Sequence, residues 1–336
     1  MSDPVPGLDP ERLGSWLHAT IPDAGPEVTA TLIVGGKSNL TYDVTDGSHR
    51  WIVRRPPLGH VLATAHDMAR EYRVMSALAG STVPVPRMIA FCADADVIGA
   101  PFTVMERVVG TAFTRAAQLA SLGADRTRAV SERVVDTLAD LHEVVPGDVG
   151  LGDFGRPDGF LVRQVERWKK QLDASHSREL PAADELYRRL AADVPADGAA
   201  GIVHGDFRLD NVLIDAQDRP AAVIDWEMAT LGDPLTDLAL MLVYDRLARA
   251  GGAIVADANL APGFLSESES IDRYEARSSR DLSRFGFYLA LASFKLAGIV
   301  EGIHYRSVHG QTVGDGFARI GELTEPVLQS GLDALD

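Results

Sequence analysis

The sequence predicts an α+β protein of two lobes, with a small antiparallel β lobe over residues 1–107 and a larger, mainly α-helical lobe over residues 108–336. Two patterns support this prediction. Residues 28–55 contain three stretches of β-type sequence, with a tight turn at Asp46-Gly47 between the last two. Beyond residue 107, apolar side chains recur mostly at helical spacing. A chain of 336 residues is long enough for either one large domain or two lobes.

The composition is that of an ordinary globular protein. Hydrophobic residues make up 46% of the chain, and the formal net charge of −16 argues against nucleic acid as a partner, because phosphates demand a basic surface. The single cysteine, Cys92, cannot form an internal disulfide, and the initial sequence MSDPVPGLDP lacks the basic start and apolar core of a signal peptide. We therefore expect a cytoplasmic protein.

One apolar stretch raises the question of a membrane span. Residues 285–303 are strongly apolar, but Lys295 and Glu301 interrupt them, and a spanning helix needs about 20 mostly uncharged residues. We predict a buried helix of the larger lobe and no membrane insertion.

The first lobe is predicted to begin with a short helix. Asp9 before Pro10 supplies an N-cap carboxylate and a proline at the first helical position, so the helix should run to about Thr20. Three antiparallel strands follow, with the sequences VTATLIV, NLTYDVT and HRWIVRR. The remaining elements predicted for this lobe are a helix over residues 64–78 and strands near residues 88–92 and 101–105.

Helical spacing of apolar residues dominates the larger lobe. Residues 127–142 carry Val130, Val134 and Leu138 on one helical face. Residues 153–155 spell Asp-Phe-Gly, but they follow no apolar strand and lie among glycines, so we predict a loop there. Further helices are predicted over residues 238–247, 267–277, 285–304 and 313–328.

The most informative stretch is residues 202–227, IVHGDFRLDNVLIDAQDRPAAVIDWE. Two apolar runs flank a polar turn and predict a hairpin. Before the first run the spacing is H-x-D-x-x-x-x-N, from His204 through Asp206 to Asn211, and Asp225 ends the second run. This is the spacing of a kinase catalytic loop with its acidic metal ligand on a later segment.

These residue types suit the transfer of a γ-phosphoryl group. The reaction needs a carboxylate that orients the acceptor hydroxyl and oxygen ligands that hold Mg²⁺ against the phosphates. Asp206 suits the first task, whereas Asn211 and Asp225 suit the second. Arg208 could offset charge on the transferring group. HGD alone would indicate only a hairpin with polar turn residues, but the asparagine at its offset and the closing VIDWE favour a kinase.

HGDFRLDN followed by VIDWE and GDPLTDLA resembles the aminoglycoside phosphotransferase and choline kinase-like family. Within that family the chain most resembles the kinase-like domains fused to some acyl-CoA dehydrogenases, and the similarity covers about residues 28–310. The resemblance implies a two-lobed protein-kinase-like fold whose small antiparallel β lobe covers the nucleotide. It also implies ATP as the phosphoryl donor, with GTP as the alternative, and Mg²⁺ as the metal.

Several nucleotide-binding residues are implied in the first lobe. Ser38 and Asn39 follow two glycines in the turn after the first strand, where they would face phosphate. Arg54 stands where the kinase pattern places a lysine on the third strand, and Glu71 stands where that cation's partner belongs. The neighbouring Arg55 should point to the opposite face of the strand, and we expect it on the surface.

Residues 102–110 resemble the hinge between kinase lobes. Adenine would lie against apolar side chains there and bind backbone groups near Glu106 and Val108. The GGKS of residues 35–38 is not a Walker A motif, because Thr31 stands where that motif needs glycine and a strand follows instead of a helix.

The spacing after the hairpin points to a small-molecule acceptor. Only twelve positions separate Asp225 from Asp237, which leaves no room for the long activation loop that docks peptides in protein kinases. We expect a hydroxyl acceptor, either a hydroxylated metabolite or acyl compound or an antibiotic. Asp237 should hold the catalytic-loop backbone, and Asp233 either does likewise or caps the next helix. Candidates for the acceptor pocket, without a motif behind them, are Tyr244, Asp245, Tyr288, Lys295, Glu301, Tyr305 and Arg306.

Two functions of other classes compete with the kinase. A nucleotide-binding regulator without phosphotransfer, a pseudokinase, would fit the incomplete glycine loop and Arg54 in place of lysine. The presence of all three catalytic-loop residues argues against it. A hydrolase is poorly supported, because the sequence has no G-x-S-x-G elbow and no other nucleophile motif.

Overall fold

The computed structural model describes residues 5–33, 39–58, 67–175, 178–251, 256–310 and 319–336. The chain divides into two compact units. The first comprises Met1–Gly110 and Ala221–Ala229, and the second comprises Thr111–Pro220 and Thr230–Asp336. The first unit contains an antiparallel sheet and the second is mainly helical, so the predicted α+β class is confirmed.

A five-stranded antiparallel sheet forms the frame of the first unit, in the order β1-β2-β3-β5-β4. Its register places Tyr42 opposite Val53 and Val53 opposite Val104. All three side chains are fully buried, because side chains alternate along each strand and these point to the core face. The strands are β1 (Thr29–Leu32), β2 (Leu40–Thr45), β3 (Arg50–Arg55), β4 (Met88–Cys92) and β5 (Phe102–Glu106).

Two helices accompany this sheet. The first, α1, spans Pro10–Thr20 as predicted; the Asp9 carboxylate accepts hydrogen bonds from two backbone N–H groups of its first turn. Leu13 and Leu17 of α1 are buried in the core against the sheet. The second helix, α2, spans Met68–Leu78 and is capped by the Asp67 side chain. The helix was predicted from residue 64, and residues 59–66 lie outside the described part of the chain.

The prediction that Arg55 lies on the surface is wrong. Its side chain is only 5% exposed. It does point away from the face that carries Arg54, as the alternation of a strand requires. That opposite face is also covered, and the Arg55 guanidinium donates to the carbonyl oxygens of Ile98, at 2.6 Å, and Gly7. A cation was expected to seek water, but backbone carbonyls replace the water here.

Eight α-helices are described in the second unit, and the longest, α9 (Phe285–Val308), lies at its centre. It packs against α5 (Phe160–Ala174), α7 (Leu235–Arg249) and α10 (Thr324–Asp333). Within the described residues, α9 alone is long and apolar enough to cross a membrane, and 78% of its apolar window is buried inside the protein. That burial fits the predicted core helix. The others are α3 (Ala116–Ala120), α4 (Ala124–Glu143), α6 (Pro181–Ala192) and α8 (Glu267–Glu275).

The helix prediction for this unit needs correction. Three helices, α3, α5 and α6, were not predicted from the sequence, although each buries one or more apolar side chains in the structure. The helix predicted over residues 313–328 is described only from Thr324, after a 3₁₀ turn at Ile320–Leu323, and residues 311–318 lie outside the described part. The Asp-Phe-Gly segment at residues 153–155 is a loop, as predicted.

The predicted hairpin supplies the strands that carry the candidate site. Its strands are β8 (Val212–Ile214) and β9 (Pro220–Val223), joined by a turn in which Asp215 N donates to Arg219 O at 2.8 Å. In the second unit, β8 pairs with β6 (Thr111–Ala112), and β7 (Gly201–Val203) pairs with β10 (Thr230–Gly232). The boundary between the units passes through this hairpin, because residues 221–229 belong to the first unit.

Candidate active site

Arg54 connects two acidic residues of the first unit that are far apart in sequence. Its Nη1 donates to Glu71 on α2, and its Nη2 donates to Oδ1 of Asp225 at 2.8 Å. The Arg54 side chain is 11% exposed and that of Glu71 is fully buried. The structure therefore brings together three residues that the sequence assigned to phosphate and metal binding.

Acidic side chains surround the Arg54 guanidinium. Burial opposes the charge of Arg54, but Glu71 and Asp225 outweigh it and raise the Arg54 pKa. Burial raises the pKa of Glu71 despite Arg54, and the carboxylates of Asp225 and Glu227 add to that effect. The side chain of Asp225 is 30% exposed, whereas that of Glu71 is fully buried, so Asp225 can also meet a cation from solvent.

Asp225 has a strained backbone conformation. Its φ of +69° lies in the left-handed region, which costs a residue other than glycine about 1–2 kcal/mol. The next residue stabilises this backbone conformation. The indole of Trp226 is buried, and its N–H donates to Val223 O at 2.9 Å. Strained residues fixed by buried neighbours concentrate at functional sites. This geometry aims a partly exposed carboxylate out of the end of β9.

Asn39 is the described member of the predicted phosphate-facing turn. Its side chain is buried and its Nδ2 donates to Oε2 of Glu227 at 2.9 Å. Asn39 itself is therefore tied to the segment that carries Asp225. Ser38 lies outside the described residues. No role was predicted for Glu227, although its position two residues after Asp225 was an available signal.

Glu106 and Val108 follow the predicted hinge. Glu106 ends β5, and its carboxylate accepts the backbone N–H of Arg87 at 3.0 Å. Its own backbone N–H donates to the Arg87 carbonyl. Val108 is half-buried. Adenine binding by the backbone near these residues stays a prediction.

In the second unit, Asp237 holds the backbone of the catalytic loop, as predicted. Its carboxylate accepts the N–H of His204 at 2.6 Å and of Gly205 at 2.8 Å. Burial opposes ionisation of Asp237, but interactions with His142 and hydrogen bonds from the loop outweigh it and lower its pKa. Gly205 has φ +87°, so the loop needs glycine here. An ionised, buried acceptor therefore fixes the turn that precedes Asp206.

Asn211 orients the candidate base. Its Nδ2 donates to the Asp206 carbonyl at 2.8 Å and to the Asp206 carboxylate at 3.2 Å. An amide that donates through its nitrogen keeps its carbonyl oxygen for a cation. Burial raises the pKa of Asp206, against the positive charges of Arg208, His204 and Lys295. A raised pKa brings a carboxylate closer to the range in which it accepts protons well.

Arg208 is held beside Asp206 by two contacts. Its Nη2 donates to Oδ2 of Asp210 at 2.7 Å, and its guanidinium lies 4.4 Å from the centroid of the Tyr244 ring. Its Nε lies 3.6 Å from Oδ1 of Asp206. The cation predicted to act at the transferring group is therefore next to the candidate base.

The structure separates the acceptor-pocket candidates into two groups. Tyr288 and Glu301 have structural contacts: the Tyr288 hydroxyl donates to Asp233 at 2.6 Å, and buried Glu301 accepts from Arg178 at 2.8 Å. Asp233 also accepts Leu235 N at 3.1 Å and so caps α7. Tyr305 stacks on His309. Tyr244, Asp245 and Lys295 instead lie near the catalytic loop; Lys295 contacts it directly, and the other two line a cavity with Arg208 and Asp210.

Asp245 is a lining residue of that cavity with a pKa raised into the neutral range. Burial raises the pKa of Asp245 to about 7, against the positive charge of Arg249. Apolar side chains such as Phe113 and Met241 form much of the cavity wall. The cavity has a volume of about 40 Å³. The cavity is large enough for water but too small for a drug-sized ligand.

The donor set suits magnesium. Among the described residues, no group of three or more His, Cys, Asp or Glu side chains is arranged to hold a metal. Nucleotide-bound Mg²⁺ needs only one or two protein carboxylates or similar oxygens, because phosphates and water supply the rest. Asn211 in the second unit and Asp225 in the first unit each carry an oxygen of this kind.

Comparison with known proteins gives three findings. Residues 29–275 match the model of a family described as "Phosphotransferase enzyme family". Acyl-CoA dehydrogenase family member 11 from Rattus norvegicus is 33% identical over 97% of this chain, and the chain spans 43% of that protein's length. The crystal structure of a candidate aminoglycoside phosphotransferase from Ralstonia eutropha JMP134 is 32% identical, with a TM-score of 0.84 over 97% of this chain and 98% of that chain.

A more distant structural likeness concerns the fold alone. A thermostable mutant of aminoglycoside phosphotransferase APH(4)-Ia, solved as a ternary complex with AMP-PNP and hygromycin B, has a TM-score of 0.62 at 18% identity over 95% of this chain and 98% of that one. Together with the Ralstonia structure it confirms the predicted kinase-like fold, an antiparallel sheet followed by a larger helical part.

Proposed function

Because the chain belongs to the phosphotransferase enzyme family, we propose that it transfers the γ-phosphoryl group of ATP to a hydroxyl group of a small molecule. The catalytic loop carries this proposal. Asn211 donates to both the carbonyl and the carboxylate of Asp206, and Asp237 fixes the loop backbone two residues before Asp206. A base held in this way supplies the positioning on which phosphoryl transfer mainly depends.

The reaction assigns a task to each loop residue. Asp206 orients the acceptor hydroxyl and takes its proton as the acceptor oxygen bonds to the γ-phosphorus. The bond from that phosphorus to the β–γ bridging oxygen breaks, and ADP leaves. Arg208, whose guanidinium lies near Asp206, offsets negative charge on the transferring group.

The first unit contributes the nucleotide contacts in this proposal. Arg54, braced by Glu71, binds phosphate, while Ser38 and Asn39 donate to it from the preceding turn. Adenine binds the backbone near residues 106–108, and GTP is the alternative nucleotide. Asn211 and Asp225 would each hold Mg²⁺ as a ligand, and the ion would supply positive charge that offsets the negative charge of the phosphates.

The acceptor is proposed to be a hydroxylated metabolite or acyl compound. The name of the rat relative, an acyl-CoA dehydrogenase family member, supports an acyl compound, although this chain spans only 43% of that protein. An antibiotic is the alternative, since the more distant APH(4)-Ia structure contains hygromycin B. The proposed location is the cytoplasm. The single cysteine of this chain, Cys92, is buried and forms no disulfide, which suits a reducing compartment.

Replacement of the base tests the proposed function. Asp206→Asn should lower turnover by about 10²- to 10⁴-fold, because positioned acid–base groups contribute that much, while ATP affinity changes little. Turnover is measured as ADP release in a screen of aminoglycosides, macrolides, amino alcohols and hydroxyacyl thioesters. Asp148→Asn is the matched control, because Asp148 is an exposed carboxylate of the same unit.

Two results would count against this function. Equal turnover in Asp206→Asn and the parent protein would remove Asp206 from its role. Slow ATP hydrolysis that no acceptor accelerates would favour the nucleotide-binding regulator.

A further inference from the structure

Lys295 contacts the catalytic loop from α9. Its Nζ donates to the Gly205 carbonyl at 2.9 Å, immediately before Asp206. An ammonium has three N–H donors, and this bond uses one of them. Within the described part of the chain, no carboxylate forms a salt bridge with Lys295. The ammonium therefore has donors left over beside the candidate base.

A second unused donor lies next to Lys295. The Trp168 indole of α5 lies 5.5 Å from Lys295 Nζ, measured to the ring centroid, and it is only 7% exposed. Its Nε1 has no hydrogen-bond acceptor among the residues that the structure describes. Buried N–H groups nearly always have a hydrogen-bond acceptor. A ligand oxygen that accepts from Trp168 Nε1 would supply the acceptor that this group lacks.

The indole is fixed in this position. A Cβ on Gly298, one turn after Lys295 on α9, would lie 3.5 Å from Trp168 Cε3, so the ring packs closely against that helix. The Lys295 ammonium and the Trp168 indole therefore lie beside each other on two packed helices, α9 and α5.

The electrostatics of this corner favour a negatively charged or electron-rich group. Arg167 lies 5.6 Å from the centroid of the same indole ring, and its charge repels that of Lys295. Burial lowers the pKa of Lys295, despite the attraction of Asp206 and Asp237. Burial removes the water that would stabilise the charged ammonium of Lys295. A bound carboxylate or carbonyl oxygen would replace that water as a hydrogen-bond acceptor.

We propose that Lys295 and Trp168 bind a carboxylate or carbonyl oxygen of the acceptor substrate, so that the acceptor is an alcohol bearing such an oxygen and not a polyamine. Both groups are donors only, and an amine cation has no lone pair to accept from them. The inference rests on the proposed function, because it places this oxygen on the molecule whose hydroxyl meets Asp206. It would give this pair of residues a part in selecting the acceptor.

A matched set of alcohols tests the preference. Three six-carbon primary alcohols that end in a carboxylate, a methyl ester or an amine are compared by kcat/KM, from ADP release with ATP and Mg²⁺. We expect the carboxylate to exceed the amine by about 10-fold or more, the usual effect of a hydrogen bond to a charged group. The ester should lie between them. An amine used as well as the carboxylate would overturn the proposal.

Variants separate acceptor recognition from support of the loop. Trp168→Phe removes the N–H and keeps a ring, whereas Lys295→Arg keeps the charge and Lys295→Met removes it. The carboxylate-to-amine ratio should fall several-fold in Trp168→Phe and about 10-fold in Lys295→Met, and largely recover in Lys295→Arg. Loss of the Gly205 contact alone would lower kcat for all three alcohols and leave their ratio unchanged. The exposed Lys170→Met on α5 is the control for loss of a surface charge.

Binding measurements keep this proposal distinct from the proposed function. Calorimetric titration of the same alcohols is carried out in the presence of AMP-PNP and Mg²⁺. Tighter binding of the carboxylate that depends on Lys295, without ADP release from any alcohol, would support the subsite and refute phosphotransfer to these acceptors. Phosphorylation with ratios that neither variant changes would refute the subsite and leave the proposed function standing.

Discussion

Removal of the Arg54 guanidinium should leave the buried carboxylate of Glu71 without its cation in the first unit. Glu71 is fully buried, and in Arg54→Met it loses the cation that its carboxylate contacts. Asp225 also loses a partner, but its side chain is 30% exposed and can be hydrated. The cost of the substitution should therefore come mainly from Glu71.

The structure sets the size and pH dependence of that cost. Breaking a buried pair by removing one partner costs about 3–5 kcal/mol. Glu71 can avoid part of this cost by binding a proton, because burial already raises its pKa above the ordinary value of 4.5. Between about pH 4.5 and the raised folded pKa, the folded variant then binds a proton that the unfolded chain does not. The free energy of unfolding of the variant should fall as pH rises through this window, by at most about 1.4 kcal/mol per pH unit.

Intrinsic fluorescence can follow the unfolding of the first unit, because three of the four tryptophans, Trp16, Trp51 and Trp226, lie in it. Urea titrations at several pH values give the stability of Arg54→Met relative to the parent. Adding Glu71→Gln to the variant should restore most of the loss at high pH, because the added amide needs no counter-charge.

Arg50→Met on the same strand is the matched control for this prediction. The Arg50 side chain is 56% exposed and pairs with Asp43 at the surface, so its loss should cost less than about 1 kcal/mol. A deficit in Arg54→Met that does not change with pH, or that Glu71→Gln leaves in place, would refute the assignment of the cost to an isolated buried carboxylate.

Two further predictions concern the metal and the base. Asp225→Asn should reduce the dependence of ATP affinity on Mg²⁺ by about 10-fold or more, because it removes the charge of a proposed metal ligand. ATP titrations with and without Mg²⁺ measure this dependence. Unchanged titration curves would refute the metal assignment. Tyr244→Leu should lower kcat by about 2- to 30-fold, because it removes the ring that lies 4.4 Å from the Arg208 guanidinium. Tyr244→Phe keeps the ring and should retain kcat, so an equal loss in both variants would show that the ring contact is not what matters.

The sequence predicted the strands well, and it located the catalytic loop, because both depend on local patterns. Alternating residues define β2 and β3, and the catalytic-loop spacing is contained within the eight residues from His204 to Asn211. The pairing of Arg54 with Glu71 followed from a pattern that links a strand to the next helix. Such signals require no knowledge of the tertiary packing.

Residues whose role depends on packing could not be predicted in this way. Arg55 is buried because the segments around Gly7 and Ile98 cover its face of the sheet, which no local pattern records. Tyr244 and Trp168 contribute through their distance from Arg208 and Lys295, which lie on other segments of the chain. The support of the loop by Asp237 was predicted only because Asp237 stands at a fixed offset after Asp225.

Helix α9 is strongly apolar because it must be packed rigidly to support the catalytic loop. The loop backbone is held by Asp237 on α7 and by Lys295 on α9, and Asp237 in turn lies 3.6 Å from the buried His142 on α4. Polar contacts of this kind keep their geometry only when the helices that carry them cannot shift, because a small displacement lengthens every hydrogen bond. Burying α9 on most of its sides supplies that rigidity, at the expense of a sequence that resembles a membrane span. The same apolar surroundings bury His204 and Asp237, and this burial strengthens the polar contact between them that supports the loop before Asp206.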